Sequence, residues 1–384
     1  MPLRSSLSLR QQVGQLMIMG FDGVDLSARL RTILATLQPG GVILFKRNIQ
    51  EAAQTHGLLR QIEKASSTPL FRCVDMEGGT VDRFCDVIAR TPAAYEVART
   101  GSARLFRRHG ELIGVQVRAL GLNTDFAPCI DLRLPESVAV MGPRTVSSNP
   151  GEVIGYARVF LNGLRDARIL GCGKHFPGLG GANLDSHHVL PSVARTWKQV
   201  REQDLAPYRR LHRNLPFVMV AHVSYPKIEG ENIPASLSRR WITGVLHGRI
   251  GYKGLVISDD LDMSGVLNSV SIEEAAVETL KAGSDLFLVC QQEENVWRAY
   301  EAVLKLAENE ERFATVIASK AKRVCAFKAR SAEVHAKFPL PPTRAKVETL
   351  RRRLWEFSEA VRLSTPSGEA ITTEAGEIIG ELTR

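Results

Sequence analysis

The chain has 384 residues, 44% hydrophobic and 24% charged, with 31 Gly and 18 Pro. That is ordinary globular composition with ample material for a core, and it excludes a collagen-like or largely disordered chain. Mean hydropathy is −0.08, and no apolar run approaches the ~20 residues of a bilayer helix, which sets aside a helical membrane-spanning protein. The net charge is +9, but Lys and Arg are spread along the chain. The densest run is Arg351, Arg352 and Arg353. A solvated basic surface is the expectation, with neither nucleic acid nor membrane as partner. The six cysteines form no C-x-x-C pair, and four of them lie in apolar stretches as free thiols would. Near the N-terminus Arg4 and Arg10 precede an apolar stretch broken by Gly14 and Gln15, so no secretory signal is read and a reducing, cytoplasmic compartment is expected.

Along the chain, eight short apolar runs occupy residues 16–21, 41–45, 70–75, 123–127, 169–176, 217–223, 255–259 and 285–290. They are continuous rather than alternating, as in parallel strands covered on both faces. Segments of helical period separate and follow them, at 27–37, 51–65, 95–120, 152–166, 197–213, 238–249, 272–282 and 293–307. Eight such units predict an α/β fold, a (β/α)8 TIM-type barrel. An open doubly wound sheet is the runner-up, but no G-x-G-x-x-G turn follows the first run. The predicted organisation is one barrel domain over residues 1–335, then 336–384 as a Pro-containing linker, an amphipathic helix and a polar tail. On that helix Val347, Leu350, Leu354, Phe357 and Val361 form a stripe expected to pack on the outside of the barrel.

Polar residues cluster where a barrel enzyme needs them. Asp22, Lys46, Asp75, Glu77, Asp125, Lys174, His175, His222, Asp259 and Asp260 all fall at or just beyond the C-terminal ends of predicted strands. Those ends form the catalytic face of such barrels. Asp185 stands two residues from His187 on a Gly-rich loop, and a carboxylate bonded to one ring nitrogen raises the basicity of the other. Taken alone, that pair is common in loops. Ser258-Asp259-Asp260 alone could be a helix cap, and His175 and His222 could be satisfied polar residues or metal ligands.

Five motifs in order carry more. VDMEGGTVDRF (74–84), FAPCIDL (126–132), GKHFPGLGGANLDSH (173–187), AHVSYP (221–226) and ISDDLDM (257–263) together resemble glycoside hydrolase family 3, in its bacterial β-N-acetylhexosaminidase branch, over roughly residues 8–330. The resemblance implies a β-N-acetylglucosaminidase of the peptidoglycan-recycling type. By it Asp259 is the nucleophile that forms a covalent glycosyl-enzyme, His187 the acid–base and Asp185 its dyad partner. Asp75, Arg83, Arg144, Lys174 and His175 match positions that hold the terminal N-acetylglucosamine. It implies a small carbohydrate substrate, no cofactor and no metal; a monomer is favoured.

Four positions depart from the family pattern: Leu179 where His is usual, Met76 where Gln or His is common, Thr80 in place of Arg, and Asn149 in place of Asp. None is assigned to the chemistry. The rival readings are a glycoside phosphorylase on the same scaffold, a metal-dependent barrel hydrolase using His175, His187, His188 and His222 with Asp259, and a sugar-binding barrel without catalysis. The Gly-rich stretch before His187 predicts a loop that moves.

Overall fold

The computed structural model describes residues 7–182 and 190–366. Eight strands are present: β1 (Met17–Met19), β2 (Gly41–Leu44), β3 (Phe71–Val74), β4 (Thr124–Asp125), β5 (Cys172–Phe176), β6 (Phe217–Val220), β7 (Leu255–Asp260) and β8 (Leu286–Val289). Their order is β4-β3-β2-β1-β8-β7-β6-β5, with every pair parallel. The ring is completed where Asp125 N donates to Leu170 O at 2.8 Å and Leu170 N to Asn123 O at 2.9 Å. The result is the expected (β/α)8 barrel. Within the strands only Asp259 is less than fully buried, which explains why the sequence shows unbroken apolar runs rather than alternation.

Helices follow the strands, with instructive differences from expectation. The single predicted helix at 95–120 is two, Ala94–Ala98 and Ala103–Ala119. Gly101 adopts φ +61° between them, and Ser102 caps the second by accepting from Leu105 N. The predicted helix at 197–213 contains a wide π-helical turn, Val200–Asp204, and Arg240–Arg249 is wound the same way. Strand β4 is only two residues long, although single contacts continue beyond it, with Phe126 N donating to Val74 O at 2.9 Å and Ile130 N to Lys174 O at 2.8 Å. Besides single turns at Val138–Met141, Pro226–Glu229 and Ser264–Leu267, two longer helices lie outside the expected set. Leu9–Gln15, closed by a capping box between Ser8 and Gln11, leads into β1. Glu311–Arg330 follows Glu293–Asn309 and sends Lys328 inward, where its ammonium donates to Gln15 Oε1 at 2.8 Å.

The helix Arg344–Ser364 buries Leu350, Leu354, Phe357 and Val361, with Val347 half-buried. Phe357 stacks on His109 of Ala103–Ala119 at 5.7 Å between ring centres. The extended segment before it is anchored as well. Phe338 lies under the Arg72 guanidinium at 5.2 Å, and Pro339 O accepts from His56 at 2.9 Å. Among the described residues no helix is long and apolar enough to cross a membrane.

The segment that carries Arg144 hangs between Ala103–Ala119 and Pro150–Asp166, and two glycines set how closely those helices approach. A Cβ on Gly110 would lie 2.1 Å from Phe160 O, and one on Gly163 2.5 Å from Arg107 O. Backbone stands against backbone, so neither contact can yield by a side-chain rotation. Gly110→Ala is expected to destabilise the protein by about 1–3 kcal/mol in urea unfolding. Gly57→Ala, in the helix Ala52–Ala65 with nothing within 4 Å, should instead leave stability unchanged or raise it by up to about 1 kcal/mol.

Candidate active site

At the C-terminal ends of the strands lies a cavity of about 330 Å³. Asp75, just after β3, Lys174 and His175 on β5, and Asp259 and Asp260 on β7 all line it. Arg83 and Arg144, from the segments after β3 and β4, complete the polar wall. Six of the eight predicted site residues therefore share one cavity. The other two, Asp185 and His187, fall in 183–189 and lie outside the described residues, as does His188. Of the remaining strand-end polar residues, Asp22 pairs with Arg47 at 2.9 Å and Lys46 with Asp86 at 3.4 Å, away from the cavity.

A chain of alternating charges builds the wall. The Lys174 ammonium is almost fully buried and lies 2.7 Å from both Asp75 and Glu77. Arg144 forks onto Glu77 at 2.8 and 2.9 Å, a bidentate pair. Burial alone would push the Glu77 carboxyl up, but Arg144 and Lys174 outweigh it and hold it well below the usual carboxylate range. Burial alone would lower the pKa of the Lys174 ammonium, but Asp75 and Glu77 outweigh it and raise the pKa further, so it stays charged. Removing one member of such a set leaves an uncompensated buried charge, at a cost of about 3–5 kcal/mol.

The chain continues into His175. Arg144 Nη2 lies 3.3 Å from His175 Nε2, and His175 Nδ1 lies 2.7 Å from Asp131 Oδ2. Glu77 and Asp131 thus support the wall, though sequence reasoning gave neither a role. Glu77 had the signal of standing two residues after Asp75; Asp131 lay inside a motif but had no partner in sight. Cys129, Asp131 and His175 are the one described group of His, Cys, Asp and Glu whose ligand atoms lie within 4.8 Å of one another. Their contacts are hydrogen bonds: the Cys129 thiol, which burial pushes well up in pKa, points at Asp131 at 3.3 Å. His222, read as a possible metal ligand, bridges Ser236 Oγ at 2.7 Å and the Asp260 carbonyl at 2.9 Å.

Asp259 is half-buried at the cavity wall, and its Oδ1 accepts from Asp260 N at 2.9 Å. Asp260 is turned inward, its Oδ1 accepting from Cys290 N at 3.0 Å and Asp262 N at 3.1 Å. The departures from the family pattern also find places. Asn149 caps Pro150–Asp166 by accepting from Gly151 N at 2.8 Å, as an Asp would. Leu179 lines the cavity beside Met141 and Met263, Met76 is buried, and Thr80 is exposed.

Residues 8–327 match the family model described as the glycosyl hydrolase family 3 N terminal domain. The chain belongs to glycoside hydrolase family 3. Among its relatives, a β-hexosaminidase of Pseudomonas aeruginosa is 38% identical over 297 residues, 76% of this chain and 87% of that protein. A solved family 3 β-N-acetylglucosaminidase from Paenibacillus sp. superposes with a TM-score of 0.86 at 32% identity, covering 94% of this chain and 70% of that one. NagZ from Neisseria gonorrhoeae gives a TM-score of 0.69 at 29% identity, covering 81% of this chain and 98% of that one. As a family 3 member the chain is a glycoside hydrolase of β-hexosaminidase type, with a carbohydrate substrate.

One group in this family 3 site is set to titrate near neutrality. Burial first, then the Asp262 and Asp259 carboxylates, push the Asp260 carboxyl up to about 7. Unfolded, the same group ionises near 3.9. Between those values the folded state holds the extra proton, so stability falls as the pH rises from about 4 to about 7 and changes no further from this group above that. Asp260→Asn should remove this loss. Its gain in urea-unfolding stability over the wild type is expected to be larger at pH 8 than at pH 5, and an equal gain at both would contradict the assignment.

Proposed function

We propose that the chain is a retaining, exo-acting β-N-acetylglucosaminidase that removes terminal non-reducing β-linked N-acetylhexosamine by double displacement. The observation that carries this reading is the shared cavity. A carboxylate, Asp259, faces a wall of fixed cationic and anionic groups at the catalytic end of the barrel. A volume of about 330 Å³ stands at the low end of the ~300–1,000 Å³ of small-molecule sites. That suits one sugar ring rather than a length of chain, hence exo action.

In this reading Asp75, Arg83, Arg144, Lys174 and His175 hold the sugar. A polar sugar leaving water needs directed partners for each hydroxyl. Acceptors come from Asp75 and donors from Lys174 and Arg144, while Arg83 Nε is buried with no hydrogen-bond partner among the described residues. Asp259 attacks the anomeric carbon as the leaving oxygen takes a proton from His187. The same imidazole, oriented by Asp185, then takes a proton from water, whose oxygen displaces Asp259. An imidazole in this role avoids a second carboxylate facing the Asp259 anion, in contrast to the usual carboxylate pair. The proposed substrates are cell-wall fragments in which N-acetylglucosamine is linked to an anhydro-muramic residue. The support is the motif resemblance and the similarity to β-hexosaminidases and NagZ. Six free cysteines favour a reducing, cytoplasmic location, and the protein is taken as a monomer.

Asp259→Asn should lower turnover by several orders of magnitude, and a 2-fluoro glycoside should label Asp259 in the wild type. Label on another residue would overturn the assignment. The same assays run with and without inorganic phosphate should both release free N-acetylglucosamine; a sugar 1-phosphate would favour the phosphorylase reading.

His187→Ala should cripple hydrolysis of a disaccharide far more than release of an acidic phenol, because only the poor leaving group needs its proton during bond cleavage. Equal losses on the two substrates would leave His187 as a binding residue.

A further inference from the structure

Asp131 is fully buried and stands after β4, outside the set of residues proposed to hold the sugar. It nonetheless gathers four donors. Oδ2 accepts from His175 Nδ1 at 2.7 Å, from His175 N at 3.1 Å and from the Cys129 thiol at 3.3 Å. Oδ1 accepts from Leu179 N at 2.7 Å. So complete a set of donors fits only an ionised carboxylate, which accepts at both oxygens. Burial by itself would favour the neutral acid, but the hydrogen bonds from His175, Leu179 N and the Cys129 thiol hold the carboxyl below its ordinary value.

The two oxygens face different parts of the site. Oδ2 addresses the imidazole. Since an ionised carboxylate only accepts, Nδ1 carries the proton. On the other side of the ring Arg144 Nη2 lies 3.3 Å from Nε2. A guanidinium only donates, so Nε2 presents its lone pair to Arg144. Oδ1 addresses the main chain at Leu179, four residues before 183–189, the stretch that holds Asp185 and His187. The stem between is closely seated: a Cβ on Gly180 would lie 2.6 Å from Leu132 O, and Ala182 N donates to Leu179 O at 2.9 Å.

We propose that Asp131 is a positioning residue with two roles at once: it fixes His175 as the Nδ1–H tautomer, so that Nε2 accepts from Arg144 Nη2 and holds that guanidinium at the sugar site, and it anchors at Leu179 the start of the loop that leads to the acid–base. The functional half of this proposal rests on the reading of His175 as a sugar-holding residue and of His187 as the acid–base. An Asn at 131 cannot serve both ends. Its single oxygen satisfies either the His175 donors or Leu179 N–H, and its amide N–H₂ then confronts a donor at the other.

The test uses the full chain labelled with ¹⁵N-histidine, with the His175 resonances assigned by their loss in His175→Gln. In the wild type at pH 7.5 the expected pattern is a protonated Nδ1 and an unprotonated Nε2; an Nε2–H tautomer or a doubly protonated ring overturns the proposal. This measurement needs no variant of Asp131, so misfolding of a variant leaves it intact. Kinetics then separate the two roles. Asp131→Asn and His175→Gln should both lower kcat/KM on an activated aryl glycoside, by about tenfold or more. Asp131→Asn should show a further loss of about tenfold in kcat on a disaccharide, because only it disturbs the loop. Equal losses for the two variants on both substrates would overturn the anchoring role. The expected tautomer with His175→Gln at wild-type activity would overturn the functional half through its premise, the sugar-holding reading, while the Asp131–His175 geometry stood.

Discussion

The site depends on a single buried ammonium. Lys174 on β5 lies 2.7 Å from Asp75 and 2.7 Å from Glu77, so one cation offsets two carboxylates at once. Glu77 then requires Arg144, Arg144 meets His175, and His175 requires Asp131. Signs alternate along most of this chain, so each desolvated charge has a compensating neighbour, and the network is stable only as a whole. Its members come from the ends of β3, β4 and β5. Three strands are thereby locked in one relative placement, and the polar wall is rigid before any sugar arrives. Such preorganisation avoids reorientation of dipoles during the reaction.

The cavity also has an apolar share. Met141, Leu179, Ala182 and Met263 line it together with Asp259 and Asp260. The pair Asp259 and Asp260 divides in function by burial. Asp260 is spent on backbone N–H groups of the β7 and β8 ends, and burial and its neighbours' charge push its carboxyl up to about 7. Near neutrality it therefore carries less negative charge beside Asp259 than an ordinary carboxylate would, which suits the latter to the role of attacking anion.

The barrel was readable from the chain because parallel strands buried on both faces leave continuous apolar runs, and each of the eight runs coincides with a strand to within a residue or contains it. Boundaries were less readable where the backbone, not the pattern, decides: Gly101 splits a stretch of unbroken helical period, and β4 takes up only two residues of its run. Asp75, Lys174, His175 and Asp259 were readable as strand-end residues and as motif members. Glu77, also a strand-end residue and motif member, and Asp131, a motif member, drew no specific role, since their roles exist only in pairs 67 and 44 residues apart in sequence, with Arg144 and His175. Asn149 illustrates the converse. It departs from the family pattern, yet its side-chain oxygen performs the cap expected of the residue it replaces.

The most direct measurement is the anomeric configuration of the first-formed product, followed by ¹H NMR during hydrolysis of an aryl β-N-acetylglucosaminide before mutarotation sets in. Double displacement through Asp259 inverts the anomeric carbon twice, so the account predicts the β-anomer. The α-anomer as first product would require direct attack by water, and it would contradict a glycosyl-enzyme on Asp259.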